Sequence, residues 1–594
     1  MIKVISDLYS NLDGKGVENP KVGDIWRGRN SMLDEFIHQP RIAYFTMEVA
    51  LQNDIPTYAG GLGILAGDTV RSAADLELPL VTVTLVSRAG YFKQEIDEQG
   101  RQIEHPDWWE PSRWATPLGA KVAVTIEGRT VWIGAWLYIL KGRVNGSQPV
   151  ILLDTDLNEN EQMDREITHY LYGGDEAYRL KQEIVLGIGG VRMLHAVDFQ
   201  INQYHLNEGH SALLTLELLR HYTYPQEDLR PGELPYDIPR VRELCNFTTH
   251  TPVEAGHDQF PYDLVQRTLG DFVDFATLRT LAGSDNLNMT RLALNLSEYV
   301  NGVAKRHAEI SSHLFPGYTV RAITNGVHPF KWTSPGFSGL YDLHMPGWRH
   351  EPELLVRADR IPNTAIWEAH QSAKQQLIQT VYEQSSVRLD VEIPVLGFAR
   401  RMTAYKRPDL LFSDPARLAV IAKRWPFQIV LAGKAHPKDR PGKELIEKIH
   451  AHARQLSGVI PVVYLANYNM DLALQIVSGV DVWVNTPLPP LEASGTSGMK
   501  AAFNAVPNLS VLDGWWIEGC IEGDTGWAIG DSEDPPVMDH RISLYEKLEG
   551  VVLPLYYQNR DGWINVMKGA IVKNASFFNS HRMMRRYAAE AYIR

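Results

Sequence analysis

Between residues 391 and 512, short apolar runs alternate with amphipathic stretches, and this alternation restricts the fold more than any other feature of the chain. Residues 391–399, 427–433, 460–465, 480–485 and 509–512 read as strands, with helical spacing over 408–424, 443–455, 472–478 and 495–505. Strands that are apolar throughout are buried on both faces, and helices between them make a parallel, doubly wound sheet. No Gly-x-Gly-x-x-Gly string follows any of these strands, which argues against a nicotinamide or flavin dinucleotide.

The first half reads similarly but less regularly. Residues 41–47, 80–86, 150–154, 203–206 and 246–249 suggest strands, 60–76 a glycine loop entering a helix, and 179–195 and 210–221 further helices. The alternation over 122–140 suggests antiparallel hairpins beside the main sheet. At 594 residues the chain is too long for one core,. The expected class is α/β with two Rossmann-like domains, 1–332 and 333–573. A basic amphipathic helix over 574–594 follows, with Arg582, Arg585 and Arg586 on its polar side. Those arginines read equally well as a solvated face.

Composition excludes some functions. With 44% hydrophobic and 22% charged residues the chain is that of a folded globular protein, and its net charge of −13 argues against a nucleic-acid partner,. Cys245 and Cys520 are the only cysteines. They make no disulfide framework and stand beside no metal-ligand pattern, so a reducing compartment is expected and no metal. The N-terminus lacks the apolar segment of a secretory signal, and no apolar run approaches the ~20 residues that span a bilayer. The expected location is the cytoplasm, without a membrane partner.

Chemistry concentrates in a few strings. Glu492-Ala493-Ser494-Gly495-Thr496-Ser497-Gly498-Met499-Lys500 puts a carboxylate, very small residues and a lysine at the mouth of a helix. Thr496, Ser497 and Gly498 offer backbone N–H groups to an anion there. Apolar Ala501, Ala502 and Phe503 would depress the Lys500 pKa, as a nucleophilic amine requires. A Gly/Ser turn that only caps a helix would look much the same. Arg400, Arg401, Lys406 and Arg407 cluster after a strand, where open α/β sheets bind ligands and arginine suits phosphate. Gly60-Gly61-Leu62-Gly63 stands between a strand and a helix, either for tight packing or for close approach of a ligand. His250-Thr251-Pro252-Val253-Glu254-Ala255 follows another strand, Asn207-Glu208-Gly209-His210 a third, and Thr324-Asn325-Gly326 reads as a turn.

The Glu492–Lys500 string resembles, nearly residue for residue, the pyridoxal-phosphate segment of the α-glucan (glycogen, starch, maltodextrin) phosphorylases. The other strings extend the resemblance from about Ala43 to Glu518, closest to the short prokaryotic branch. It implies two facing Rossmann-like domains of the GT-B glycosyltransferase type with the site in the cleft between them, and a terminal helix that crosses back onto the first domain. It also implies pyridoxal 5′-phosphate held as a Schiff base by Lys500, with Arg400, Tyr468, Gly495, Thr496 and Ser497 around it. Arg401 and Lys406 match phosphate-binding positions, and Gly60, Gly61 and Leu62 the glycine loop against the substrate phosphate. Glu492, Ala493, Ser494, Gly495, Asn325 and His250 match positions around the sugar.

The implied reaction is reversible phosphorolysis of an α-1,4-glucan or maltodextrin by inorganic phosphate, giving α-glucose 1-phosphate with retention, the cofactor's 5′-phosphate relaying a proton. Two other functions stay open: a nucleotide-sugar glucosyltransferase of the glycogen-synthase type, and a glucan-binding relative without activity. Oligomeric state is open too. Three departures stand out. Arg400 replaces the lysine of many relatives, Ala505 stands where glycine is usual, and the regulatory N-terminal segment of the long enzymes has no counterpart.

Overall fold

The computed structural model describes residues 25–26, 31–39, 41–230, 232–253, 256–531 and 538–593. Glu254 and Ala255, in the string after His250, lie outside these residues. The strands Arg41–Phe45 (β1), Leu80–Leu85 (β2), Ser147–Asp154 (β3), Ile201–Asn207 (β4), Cys245–Thr248 (β5), Tyr299–Gly302 (β6) and Arg321–Ala322 (β7) form the first sheet. Its order is β3-β2-β1-β4-β5-β6-β7, each neighbouring pair parallel. β1 and β2 are buried along their whole length, which explains why they are mainly apolar, with Arg41, Thr82 and Thr84 as the buried polar residues. Arg129–Lys141 pairs antiparallel with β3 and with Lys121–Ile126, giving the hairpin extension expected from the alternation there.

The second sheet contains Val395–Ala399 (β8), Gln428–Ala432 (β9), Val462–Leu465 (β10), Val482–Asn485 (β11), Asn508–Val511 (β12) and Gly526–Ile529 (β13). The order is β10-β9-β8-β11-β12-β13, again parallel throughout. This is the doubly wound order in which the chain reverses direction across the sheet between its first and fourth strands. β13 escapes sequence reading because three residues between Gly526 and Gly530 carry little pattern. The helix expected over 408–424 is two pieces, a 3₁₀ segment Pro408–Phe412 and an α-helix Pro415–Arg424. Asp414 restarts it by accepting from the Arg417 N–H, with Pro415 in the first turn,.

Four helices matter below: α1 (Gly61–Asp75), α2 (Asn363–Ser385), α3 (Ser497–Ala502) and α4 (Ser580–Tyr587). α2 packs beneath the second sheet, where Lys374 and His370 both bond the buried Asp481 at the foot of β11. α4 begins later than the expected 574, because Asn579 caps it by accepting from the Arg582 N–H. A hairpin, Lys93–Ile96 with Gln102–His105, leaves the first half and lies on the second. Gln94 Nε2 donates to the Gly433 carbonyl and Gln102 Nε2 to that of Ala435, each at 2.8 Å. Among the described residues no helix is long and apolar enough to cross a membrane.

Candidate active site

In an open parallel sheet the loops after two neighbouring strands diverge where the winding reverses, leaving a crevice at their carboxyl ends. Here both sheets bring their chemistry to that point. In the second sheet, Arg400 and Arg401 follow β8, while Asn485 ends β11 and leads to Glu492. Arg400 reaches across the crevice, one guanidinium nitrogen donating to Asn485 Oδ1 and another to Glu492 Oε2 at 2.7 Å. Lys406 Nζ bonds the same carboxylate oxygen. Burial works to raise the Glu492 pKa, yet Arg400 and Lys406 together pull it down to about 2,. Glu492 is in turn held by its own backbone N–H, which donates to Asp513 Oδ2 at 2.9 Å. Burial, with the Glu492 carboxylate nearby, pushes Asp513 up to about 7.

Arg401 differs from its neighbours. It is exposed, and makes no hydrogen bond or ion pair with any described residue. Tyr405, Glu48, Tyr91 and Tyr172 surround it and favour its charge. Two cations against one carboxylate leave a net positive charge at Glu492, and Arg401 adds a second. That is the electrostatic requirement of a phosphate dianion.

Lys500 lies in α3, whose six residues give only a short run of aligned peptides. The site therefore owes little to a helix dipole, contrary to the emphasis the sequence invites. The lysine itself carries the signal. Burial lowers its pKa to about 8, against the opposing charge of Asp68. Its Nζ lies 3.7 Å from the centre of the Trp332 ring and donates no hydrogen bond to a described residue. Trp332 Nε1 donates to Asp68 Oδ2 at 2.8 Å, and the other oxygen of this buried carboxylate has no hydrogen-bond partner. Asn504 closes the arrangement, its amide donating to the carbonyls of Trp332 at 2.7 Å and Lys500 at 3.0 Å. Its neighbour Ala505 stands at φ +56°, the left-handed region where glycine is at ease,.

The first sheet supplies the opposite wall. Glu48, just past β1, accepts from the N–H groups of Ala59 and Gly60 at 2.6 and 3.1 Å, and from Tyr172 Oη at 3.0 Å. It fixes the glycine loop. An added Cβ at Gly60 or Gly61 would meet nothing within 4 Å. By contrast Gly63 and Gly67 are closed by Glu48 and by the Ala50 carbonyl, so those two are packing glycines. Leu62 lies in the first turn of α1. Tyr58 Oη accepts from the Met470 N–H at 3.3 Å, beside Tyr468. A cavity of about 420 Å³ adjoins Tyr58, Tyr91 and Tyr468.

Glu208 follows β4, across the reversal from β1, and explains its string. Its backbone is at φ +77°, ψ 168°, a region nearly confined to glycine,. From there its carboxylate accepts from the His250 N–H at 2.7 Å and from Thr251 Oγ1 at 3.0 Å. His250 Nε2 donates to Asn207 Oδ1 at 2.7 Å, and burial with three neighbouring histidines keeps the ring neutral. Asn325 follows β7 and is buried, its side-chain oxygen without a hydrogen-bond partner. No hydrogen bond joins His250 or Asn325 to Glu492 or Lys500 among the described residues. They follow strands of the first sheet, whereas Glu492 and Lys500 follow β11 of the second. Ala493 and Ser494 form the turn between, where the Ser494 carbonyl accepts from the Trp515 N–H at 2.8 Å.

Glu48, Asp68, Trp332 and Asp513 escaped the sequence reading as functional residues. Trp332 lies six residues beyond the Thr324-Asn325-Gly326 turn, in the same segment.

Comparison with known proteins places this geometry. A family model described as "Phosphorylase: Carbohydrate phosphorylase" matches residues 270–526. The chain is 39% identical to a maltodextrin phosphorylase of Thermococcus litoralis, over 93% of this chain and 70% of that protein. It is 34% identical to a glycogen phosphorylase of Aquifex aeolicus, over 96% of this chain and 88% of that one. The chain belongs to the carbohydrate phosphorylase family. A glycogen phosphorylase of Mycobacterium bovis is 33% identical over 93% of the chain and 70% of its own length. The mixed α/β architecture with two parallel sheets accords with the GT-B-like phosphorylase fold, and the enzyme class follows from the family.

Proposed function

We propose that this phosphorylase cleaves α-1,4-glucan non-reducing ends with inorganic phosphate, releasing α-glucose 1-phosphate with retention, and that it uses pyridoxal 5′-phosphate. The observation that carries the reading is Lys500: a buried lysine with its pKa lowered to about 8 and no hydrogen-bond acceptor among the described residues, facing Trp332 with Asp68, Lys331 and Arg71 nearby. A structural lysine would be expected to find an acceptor. An amine that must react with an aldehyde needs the opposite, a setting that disfavours its proton.

The residues present suit the cofactor. Lys500 would carry it, Tyr468 and Trp332 would flank it, and Arg400 with the turn Gly495–Ser497 would face its phosphate. When bound, that group supplies a second phosphate able to give and take a proton beside the substrate. The rest falls to the chain. Arg401 and Lys406 bind inorganic phosphate, with the Gly60–Gly61 loop admitting it closely. Glu492 divides its charge between holding these cations and accepting from sugar hydroxyls, with Ala493, Ser494 and Gly495 leaving room. Asn325 and neutral His250 orient the ring, and the His250 carbonyl, flanked by the bonds from the His250 N–H and the Thr251 hydroxyl to Glu208, faces positive charge developing at the anomeric carbon. Fixed dipoles of this kind, placed before the reaction, are worth several kcal/mol. Free Cys245 and Cys520 accord with work in a reducing cytoplasm,.

The test is glucose 1-phosphate formation from a maltodextrin series, with and without added pyridoxal phosphate. Cofactor-loaded protein that consumes no phosphate in the presence of any glucan would overturn the reading.

A further inference from the structure

The sequence left the arginines of the last helix open between a helix crossing back onto the first domain and a solvated face, and Arg582 makes three bonds to backbone carbonyls. Arg582 Nη1 donates to the Thr324 carbonyl at 2.7 Å, Nη2 to the Asn325 carbonyl at 2.9 Å, and Nε to the Phe577 carbonyl at 3.0 Å. Glu518 and Glu353 lie near enough to favour its charge, yet it is ion-paired to neither. A guanidinium is a rigid, planar fork, and one that spends its charge on three neutral carbonyls acts through geometry.

The rest of the contact has the same target. Val327 N–H donates to the Phe578 carbonyl at 3.1 Å and Ser580 N–H to the Val327 carbonyl at 2.9 Å. A Cβ on Gly326 would lie 2.2 Å from the Asn579 backbone, so the two segments touch with no space between. Next along, His328 Nε2 donates to Asp75 Oδ2 at 2.9 Å, and His581 Nε2 stands 3.4 Å from the same atom. On the other flank Thr324 Oγ1 donates to Glu518 at 3.0 Å, and the Asn325 N–H donates to the Val303 carbonyl at 3.0 Å. Beyond Arg582, Tyr587 Oη bonds Thr248 and Asn301 at the ends of β5 and β6, and Tyr592 Oη bonds His205 in β4. The carbonyls of Thr324 and Asn325 and both backbone groups of Val327 are thus held by residues some 250 positions later. At its centre is Asn325, whose buried side-chain oxygen has no partner of its own.

We propose that Arg582 is a positioning residue for the sugar: its fork fixes the two peptide planes that aim the Asn325 amide into the cleft, making α4 a working part of the site. The inference rests on the sugar-binding role of Asn325 given above. It extends that role to a residue that touches no substrate.

The experiment is a double-mutant cycle on cofactor-loaded protein, reading kcat, KM for maltoheptaose, and its Kd by calorimetry. Arg582→Lys keeps the charge and stem but loses the fork, and should lower kcat/KM about 30-fold, since small misplacement of a binding group costs up to ~100-fold. In an Asn325→Ala background the same change should cost less than about twofold, because the group it positions is gone. Arg585→Ala removes an exposed pair with Glu353 on the same helix and should leave activity unchanged. Arg582→Gln, which retains one donor, is the second variant should Arg582→Lys lower the thermal midpoint below assay temperature. Wild-type kcat/KM in Arg582→Lys, or losses that simply multiply in the cycle, would overturn the proposal. An inactive wild-type enzyme would instead indict the phosphorolysis reading, and the calorimetric cycle would still test the positioning.

Discussion

The Lys500 side-chain nitrogen sits 3.7 Å from the centre of the Trp332 ring. An aromatic face stabilises a cation modestly and leaves an amine free to react once deprotonated. The arrangement joins two sequence regions, since Trp332 is oriented by Asp68 of α1 and tied to Lys500 through Asn504.

Uptake of pyridoxal phosphate by cofactor-free protein should accelerate as pH rises through about 8, where Lys500 loses its proton. It should level off above that value. Lys500→Ala should abolish both uptake and turnover. Asp68 is the charge that holds the lysine proton against burial, so Asp68→Asn should move the uptake profile to lower pH. Stopped-flow absorbance across a pH series checks all three, and a profile unchanged in Asp68→Asn would refute the coupling.

Glu492→Gln leaves Arg400 and Lys406 buried without their counter-ion, a loss of about 3–5 kcal/mol for a broken buried pair. Added phosphate or sulfate should restore part of it, because the cation pair left without its counter-ion then binds an anion. The acid dependence has a definite sign. The folded pKa of about 2 lies below the ordinary 4.5, so the stabilisation is complete above about 4.5 and disappears as pH falls toward 2. Urea unfolding at several pH values should show wild type and variant converging in acid.

Glu208 holds the His250 segment from a strained backbone. Glu208→Gln puts a donor where one oxygen accepted an N–H, and should lower kcat/KM by about 10–100-fold, the range for a displaced catalytic dipole. Steady-state kinetics beside a melting curve separates this from unfolding. A large stability loss with unchanged kinetics in the folded fraction would show the residue to be structural only.

Ala505→Gly should stabilise the protein. Relief of a left-handed alanine is worth about 1–2 kcal/mol, and the added freedom of the unfolded chain returns about 0.4–1 kcal/mol. A net gain of about 0.5–1 kcal/mol should appear in the denaturation midpoint, with activity retained.

The second sheet was legible because strands buried on both faces are mainly apolar along their length, as β8 is and as β9 is after Gln428. Its neighbours β10 and β13, half-buried or framed by glycine, left weaker traces. Glu492 and Lys500 were legible as a local string whose residue types admit few other uses. Their partners were not. Asp68 meets Trp332 across 264 positions and Arg582 meets Thr324 across 258, and nothing in either neighbourhood marks the pairing. Glu208 was quoted without a role because its importance lies in a backbone angle, which glutamate conceals and glycine would have advertised.

Gly60 and Gly61 are unlike most glycines of the chain, for an added methyl at either would touch no other part of the protein. Folding therefore places no demand on which residue occupies them. A library of substitutions at these positions, sorted for folded protein, should keep alanine and serine freely. The same library sorted for turnover should return glycine, and the difference between the two pools would trace the outline of a molecule that the fold was shaped to receive.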